Sequence, residues 1–306
     1  MKKTLSVLLA IALVFSLAAC TAKQPEQTTE PTTVTPVHMN VATLKGPTGM
    51  GMAKLMSDEA SNTNYSFTLS SDPTEITTGI INGSLDIAAC PLNLASVLYN
   101  KTNGAVTMLA INTKGVLYVL ENGNTINSIS DLKGKKIYAT GQGATPEYVL
   151  NYILEKNGIK DSVEIEYKTE HSELATLAIN NEVSLCMLPE PNVTTVLAKN
   201  SSFRVALDLT KEFESASGVS LAMGCIVVRN DFLQNNEQAV RAFLDEYKAS
   251  VDYTNANIDA ASEIIASQGI VPSAAIAKAA LPNCNIVFVS GAEMKAMAQE
   301  EYADAK

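Results

Sequence analysis

The chain repeats itself. Ile81-Asn82-Gly83-Ser84-Leu85-Asp86-Ile87-Ala88-Ala89-Cys90-Pro91 aligns without a gap to Ile179-Asn180-Asn181-Glu182-Val183-Ser184-Leu185-Cys186-Met187-Leu188-Pro189, at an offset of 98. Upstream at that offset, Asp72, Thr74, Glu75, Ile76 and Thr78 meet Glu170, Ser172, Glu173, Leu174 and Thr176. At an offset of 97, Lys45-Gly46-Pro47-Thr48 meets Gln142-Gly143-Ala144-Thr145. Three matches in one order at nearly one offset imply two units of like design.

Each copy reads as strand, glycine turn, helix, strand, helix, strand. The first strands are predicted over residues 38–44 and 136–140, and the helices after them over about 48–60 and 146–156. Thr145-Pro146 reads as a cap followed by a first-turn proline, and Asn157-Gly158 as the stop. Second strands follow at 65–69 and 163–168, and third strands end at Pro91 and Pro189. Alternating β and α predicts right-handed crossovers over mostly parallel sheets. The fold class is therefore α/β with two lobes, each a mostly parallel sheet flanked by helices.

In open α/β sheets ligands bind beyond the carboxyl ends of the strands. Those ends carry residues 45–49, 90–94, 142–145 and 189–190. The first and third also open helices, whose free N–H groups favour an anionic group. The apolar run at 105–113 is interrupted by Asn112-Thr113-Lys114-Gly115 and resumes at 116–120, which reads as the first hinge crossing. The run 221–228, broken by Gly224, is the expected return. The remainder reads as mainly helical, over 236–254, 258–268 and 292–303, and is expected on the first lobe with some of it reaching the second.

The amino terminus reads as an address. Lys2 and Lys3 precede a short apolar run that ends in Leu17-Ala18-Ala19-Cys20. A basic start, a short apolar middle and small residues before a cut describe a signal peptide, residues 1–19. Its small residues before cysteine resemble a bacterial lipoprotein signal, with Cys20 the lipidated residue. Residues 20–36, rich in Thr and Pro, cannot bury enough surface to order themselves and read as a tether. Lobe I is assigned to 37–112 and 224–306, and lobe II to 113–223. The expected location is extracytoplasmic, held to the membrane by the lipid anchor alone.

Of 306 residues, 32 are acidic and 22 basic, a net charge of −10. An acidic body without a basic run argues against nucleic acid as partner. Beyond Cys20 the cysteines are Cys90, Cys186, Cys225 and Cys284, without C-x-x-C spacing, and the chain has two histidines. That excludes the usual structural zinc patterns, and no metal or cofactor is expected. Disulfides are permitted by an even count. The apolar surroundings of Cys90, Cys186 and Cys225 favour free thiols.

Four segments carry a family resemblance: Leu44-Lys45-Gly46-Pro47-Thr48-Gly49-Met50-Gly51, Ser130-Asp131-Leu132-Lys133-Gly134-Lys135-Lys136-Ile137, Leu188-Pro189-Glu190-Pro191 and Ala280-Leu281-Pro282-Asn283-Cys284-Asn285. Together with the cysteine at position 20 they resemble ABC-transporter substrate-binding lipoproteins of the nitrate, sulfonate, taurine and thiamine-pyrimidine branch. The resemblance spans the chain from about residue 38. It implies a type II periplasmic-binding-protein fold, a monomer, permease and ATPase partners, and hinge closure over a small-molecule ligand. By position it places ligand contacts on Thr48, Gly49, Met50, Pro91 and Asn93 in one lobe. In the other they fall on Gly143, Ala144, Thr145 and Glu190. The turn at Cys90-Pro91-Leu92-Asn93 lacks the aromatic residues that flat-ring binders use, and the chain has no Trp. Tyr138, Tyr148 or Tyr167 could substitute.

Each candidate has a plainer reading. Glu190, between two prolines, is either an acceptor for a ligand amine or a surface carboxylate. Lys45 and Lys114 either meet a carboxylate or sulfonate or point to solvent. Thr48 and Thr145 read as helix caps at the cleft edge. His171 reads as a surface loop residue, with an approach to the cleft as the alternative, and His38 as a packing or edge residue of the first strand. Met50, Met52 and Met56 read as core, with Met50 also able to line a cleft. No catalytic residues are expected, since there is no G-x-S-x-G elbow, metal-spaced cluster or phosphate loop. A cofactor-biosynthesis enzyme on the same fold, or a ligand sensor without transport, are the competing functions. Two helix starts and nearby lysines point to a small anionic or zwitterionic ligand.

Overall fold

The computed structural model describes residues 37–59 and 64–304. Cys20, the signal segment and the tether lie outside these residues. Two sheets organise the chain. The first has strand order β11-β4-β10-β3-β1-β2, from β1 (Met39–Leu44), β2 (Tyr65–Ser70), β3 (Ile87–Pro91), β4 (Val106–Lys114), β10 (Ala222–Arg229) and β11 (Ile286–Val289). The second has order β7-β6-β8-β5-β9, from β5 (Leu117–Asn122), β6 (Lys136–Thr140), β7 (Glu164–Lys168), β8 (Leu185–Pro189) and β9 (Phe203–Asp208).

The two sheets have matching cores. β2, β1 and β3 pair in parallel, as do β7, β6 and β8. In each sheet the next strand is antiparallel: β10 beside β3, and β5 beside β8. The expected mostly parallel sheets are thus mixed, because the strand arriving after each crossing between sheets inserts against the parallel set. β11 falls between the helices expected over 258–268 and 292–303 and is not anticipated from sequence; its Ile286-Val287-Phe288-Val289 run pairs antiparallel with β4.

The repeat is visible in the backbone as well as in residue identity. Gly83 and Asn181, which align, both end a helix region in positive φ, at 82° and 61°. Gly46 and Gly143 also align, with φ of 86° and 75°. Glycine and asparagine are the residues that tolerate this region at least cost. Helix Pro73–Asn82 begins with Asp72, whose side chain accepts from the Thr74 N–H, then Pro73 in the first turn. Its counterpart is His171–Ile179.

Strand burial follows position. β3 and β8 are buried along nearly their whole length, as central strands covered on both faces must be. Edge strand β7 instead reads Glu-Ile-Glu-Tyr-Lys, and Lys136 of β6 bridges Glu164 at 2.9 Å and Glu166 at 2.8 Å. Such charges discourage pairing with a further strand. The helix expected over 48–60 is two pieces, Pro47–Met50 and Ala53–Asp58. The break falls at Gly51, where an added Cβ would come within 3.0 Å of Ile286 and of the Tyr247 hydroxyl. Close approach of the C-terminal elements, invisible locally, divides the helix.

Helices Glu237–Ala256 and Ile258–Ser267 pack with β1, β3 and β10 in one core, around Phe243, Tyr247, Ile265 and Ile226. The second sheet has its own core, around Leu117, Leu150, Ile153 and Met187. Helix Leu209–Ser217, which precedes the return to the first sheet, is capped by Asp208, whose carboxylate accepts from the Thr210 and Lys211 N–H groups. Asp208→Ala should lower stability by about 1 kcal/mol in denaturant unfolding, the usual cost of a lost cap; an unchanged midpoint would contradict this role. Among the described residues Cys90, Cys186, Cys225 and Cys284 are buried and form no disulfide. Among the described residues no helix is long and apolar enough to cross a membrane, and no cluster of candidate metal ligands occurs.

Candidate functional site

The carboxyl ends of strands from both sheets line one cleft of ≈ 700 Å³. Lys45 to Thr48 follow β1, Pro91 ends β3 with Asn93 and Leu94 just after it, and Thr113 is the penultimate residue of β4. Opposite them, Ala144 to Pro146 follow β6 and Glu190 to Asn192 follow β8. Parallel βαβ geometry produces this, since it sends the crossover loops of each sheet out at the same end.

Of the residues singled out from sequence, Lys45, Thr48, Pro91, Asn93, Ala144, Thr145 and Glu190 line the cleft. Gly49, Met50, Lys114 and Gly143 do not. Met50 is fully buried in the core behind the cleft, and Gly49 is pressed against the Leu44 carbonyl, which an added Cβ would approach to 2.5 Å. Lys114 is half-buried on β4, where its backbone N–H donates to the Asn285 carbonyl at 3.1 Å. The Gly143 N–H donates to the Glu147 carboxylate at 2.6 Å. An anion-binding amide at that turn is therefore already occupied by the chain's own carboxylate.

Thr48 and Thr145 are not caps. Gly46 and Ala144 hold the cap positions, and neither helix has a side-chain cap bond. The Thr145 hydroxyl instead donates to Asn93 Oδ1 at 3.4 Å, joining the turn after β6 to the turn after β3 across the cleft. None of Tyr138, Tyr148 and Tyr167 lines the cleft. Tyr138 lies beneath Lys136 and Lys168, Tyr148 is exposed, and Tyr167 packs on the second core. The walls are supplied largely by proline and aliphatic carbon, with no Phe, Tyr or Trp among the lining residues.

Glu190 is not a surface carboxylate, being 2 % exposed. It accepts from the Thr194 N–H and from the Thr194 hydroxyl, each at 3.1 Å, and so holds the start of helix Asn192–Lys199. Asn283, from the segment after helix Ala274–Ala280, donates to Oε1 at 3.5 Å. Burial pushes its pKa up, against the opposing pull of the Thr194 and Asn283 hydrogen bonds. A carboxyl whose folded pKa is raised binds more protons folded than unfolded, so it makes stability fall as pH rises through the carboxylate range and above. Glu190→Gln should therefore flatten the decline in melting temperature as pH rises above the ordinary carboxylate range. An unaltered pH profile would contradict that burial cost.

His171 and the segment Ile270-Val271-Pro272 also line the cleft. Sequence reasoning favours a surface loop for His171 and keeps an approach to the cleft as the alternative, which its position among the lining residues matches. It is half-buried at the start of its helix, with Nδ1 2.6 Å from Thr140 Oγ1. Burial pushes its pKa down, with Glu170 opposing weakly, so the ring is neutral at neutral pH. His38, by contrast, is exposed, 2.9 Å from Ser66 Oγ.

Comparison with known proteins places this geometry. Residues 70–261 match the family model described as NMT1/THI5 like. No curated protein matches. Among solved structures, an ABC transporter protein from Parabacteroides distasonis is 22% identical with a TM-score of 0.74, over 88% of this chain and 92% of that one. The periplasmic aliphatic sulphonate binding protein SsuA from Escherichia coli is 16% identical with a TM-score of 0.71, over 89% and 86%. The periplasmic nitrate-binding protein NrtA from Synechocystis PCC 6803 is 11% identical with a TM-score of 0.58, over 84% and 74%. The chain belongs to the NMT1/THI5-like family and has the two-lobed fold of periplasmic binding proteins.

Proposed function

We propose that the protein is the solute-binding component of an ABC importer, a binding protein and not an enzyme, which captures a small organic molecule between its lobes. The observation that carries this reading is the single cleft lined by strand ends of both sheets. A cleft of ≈ 700 Å³ suits a metabolite-sized ligand. The proposed lobes are residues 37–112 with 224–306, and 113–223, rotating about the two crossings between sheets. Cys20 carries a lipid that holds the protein outside the cytoplasm at the membrane, where it docks as a monomer on a permease driven by an ATPase.

The ligand we propose is anionic or zwitterionic, with its acid group toward Lys45 and Thr48 and a donor toward Glu190. Support comes from the charged side chains lining the cleft, which are Lys45, Glu170 and Glu190. One cation against two carboxylates, with the Gly143 amide already taken, favours a zwitterion over a multiply charged anion. Aliphatic sulphonate and nitrate, the solutes of the Escherichia coli and Synechocystis proteins, are likewise oxyanions.

Mass spectrometry of the small molecules retained by the natively purified protein tests this directly. The expected result is one metabolite at near-equimolar occupancy, carrying an acid group and returned chemically unchanged. Turnover of the bound molecule, or selective retention of uncharged polyols, would contradict it.

A further inference from the structure

We propose that His171, held in one orientation by Thr140, is a specificity-determining hydrogen-bond donor of the cleft, its Nε2–H selecting ligands that offer an oxygen or ring-nitrogen acceptor. This rests on the cleft being the solute site.

The case begins with Thr140. It ends β6, is fully buried, and its hydroxyl lies 2.6 Å from His171 Nδ1. A buried hydroxyl proton left without an acceptor is costly. Among the described residues Thr140 Oγ1 has no other hydrogen-bond partner, so its proton goes to Nδ1. Nδ1 is then the acceptor and the ring proton sits on Nε2. Nε2 has no partner among the described residues, while His171 itself lines the cleft.

The geometry thus fixes tautomer as well as position. A ring free to exchange tautomers would accept donors and acceptors alike; this one discriminates. Because burial keeps the imidazole neutral, it supplies a hydrogen bond without a second positive charge beside Lys45. Carboxylates, sulfonates and ring carbonyls satisfy it; a purely donating amine does not. Glu190 meets the opposite need, setting an acceptor held in place by Thr194 in the same cleft as this oriented donor.

Ring nitrogen NMR on the histidine-labelled protein tests the tautomer, the two histidines being assigned with His38→Gln. The expected spectrum shows His171 protonated on Nε2 alone at neutral pH. Thr140→Val should mix the tautomers and Thr140→Ser should restore the single form, a signature that a merely structural threonine would not give. An Nδ1–H tautomer in the wild type overturns the proposal.

Ligand contact is read with taurine, ethanesulfonate and cytosine as probes. A bound probe should move the His171 Nε2 signal together with the Asn93 and Thr145 amides. His171→Phe should then weaken it roughly tenfold, the loss of about one good hydrogen bond, and His171→Gln by less than about threefold. If the Asn93 and Thr145 signals move while His171 stays still, the histidine's role fails and the cleft reading stands. If no probe moves any of the three, both fail together.

Discussion

Ala144→Trp is expected to abolish solute capture while leaving the fold intact. Ala144 has extended backbone, its side chain lines the cleft, and it lies outside both hydrophobic cores. Any residue adopts that conformation, so the substitution adds no backbone strain. An indole there would occupy space that the solute needs in a cleft of ≈ 700 Å³. Affinity for the retained metabolite should fall by roughly a hundredfold or more, measured by calorimetry. The unfolding free energy of the empty protein should stay within about 1 kcal/mol of wild type, since the half-buried Ala144 packs in neither core. Retained affinity would mean that the solute sits elsewhere.

The second large effect is expected at the first crossing between sheets. Gly115 stands between β4 in one sheet and β5 in the other. A Cβ on it would lie 2.1 Å from Thr210 Oγ1 and 2.7 Å from Thr210 Cγ2, distances that real side chains do not tolerate. Neither partner can yield easily. Thr210 is in the first turn of helix Leu209–Ser217, and the Gly115 carbonyl accepts from Asn285 Nδ2 at 2.5 Å. Gly115→Ala should cost about 1–3 kcal/mol by overpacking. It should also alter solute affinity, because the displaced crossing re-aims one sheet against the other. An alanine variant with wild-type stability and affinity would contradict both statements.

Much of this was legible in the sequence, and the reason is physical. The repeat preserved residues whose demands are local: Gly46 and Gly143 at positive φ, Gly83 and Asn181 likewise, and Pro91 and Pro189 where strands end. Strand ends mark the cleft in any open α/β sheet, so Lys45, Thr48, Pro91, Asn93, Ala144, Thr145 and Glu190 could be named before their surroundings were known. What failed were statements of direction. Gly49 and Met50 share a turn with Thr48, yet one helical step rotates Met50 into the core. Gly143 sits in the right loop, but Glu147 takes its amide.

The remaining misses are non-local. Thr140, the residue that gives His171 a role, is 31 positions away on another element. Asn283 reaches Glu190 from 93 positions away, and Ile270 to Pro272 reach the cleft from the C-terminal helices. No periodicity announces such meetings. They follow from tertiary packing, which a single sequence records only through the fold it specifies.

A crystal structure of the natively purified protein with its retained metabolite in place tests the central claim most directly. The account predicts one molecule touched from both sides, by Thr48 or Asn93 after β1 and β3 and by Thr145 or Glu190 after β6 and β8. A metabolite held by residues of one sheet alone, or bound away from these turns, would contradict it.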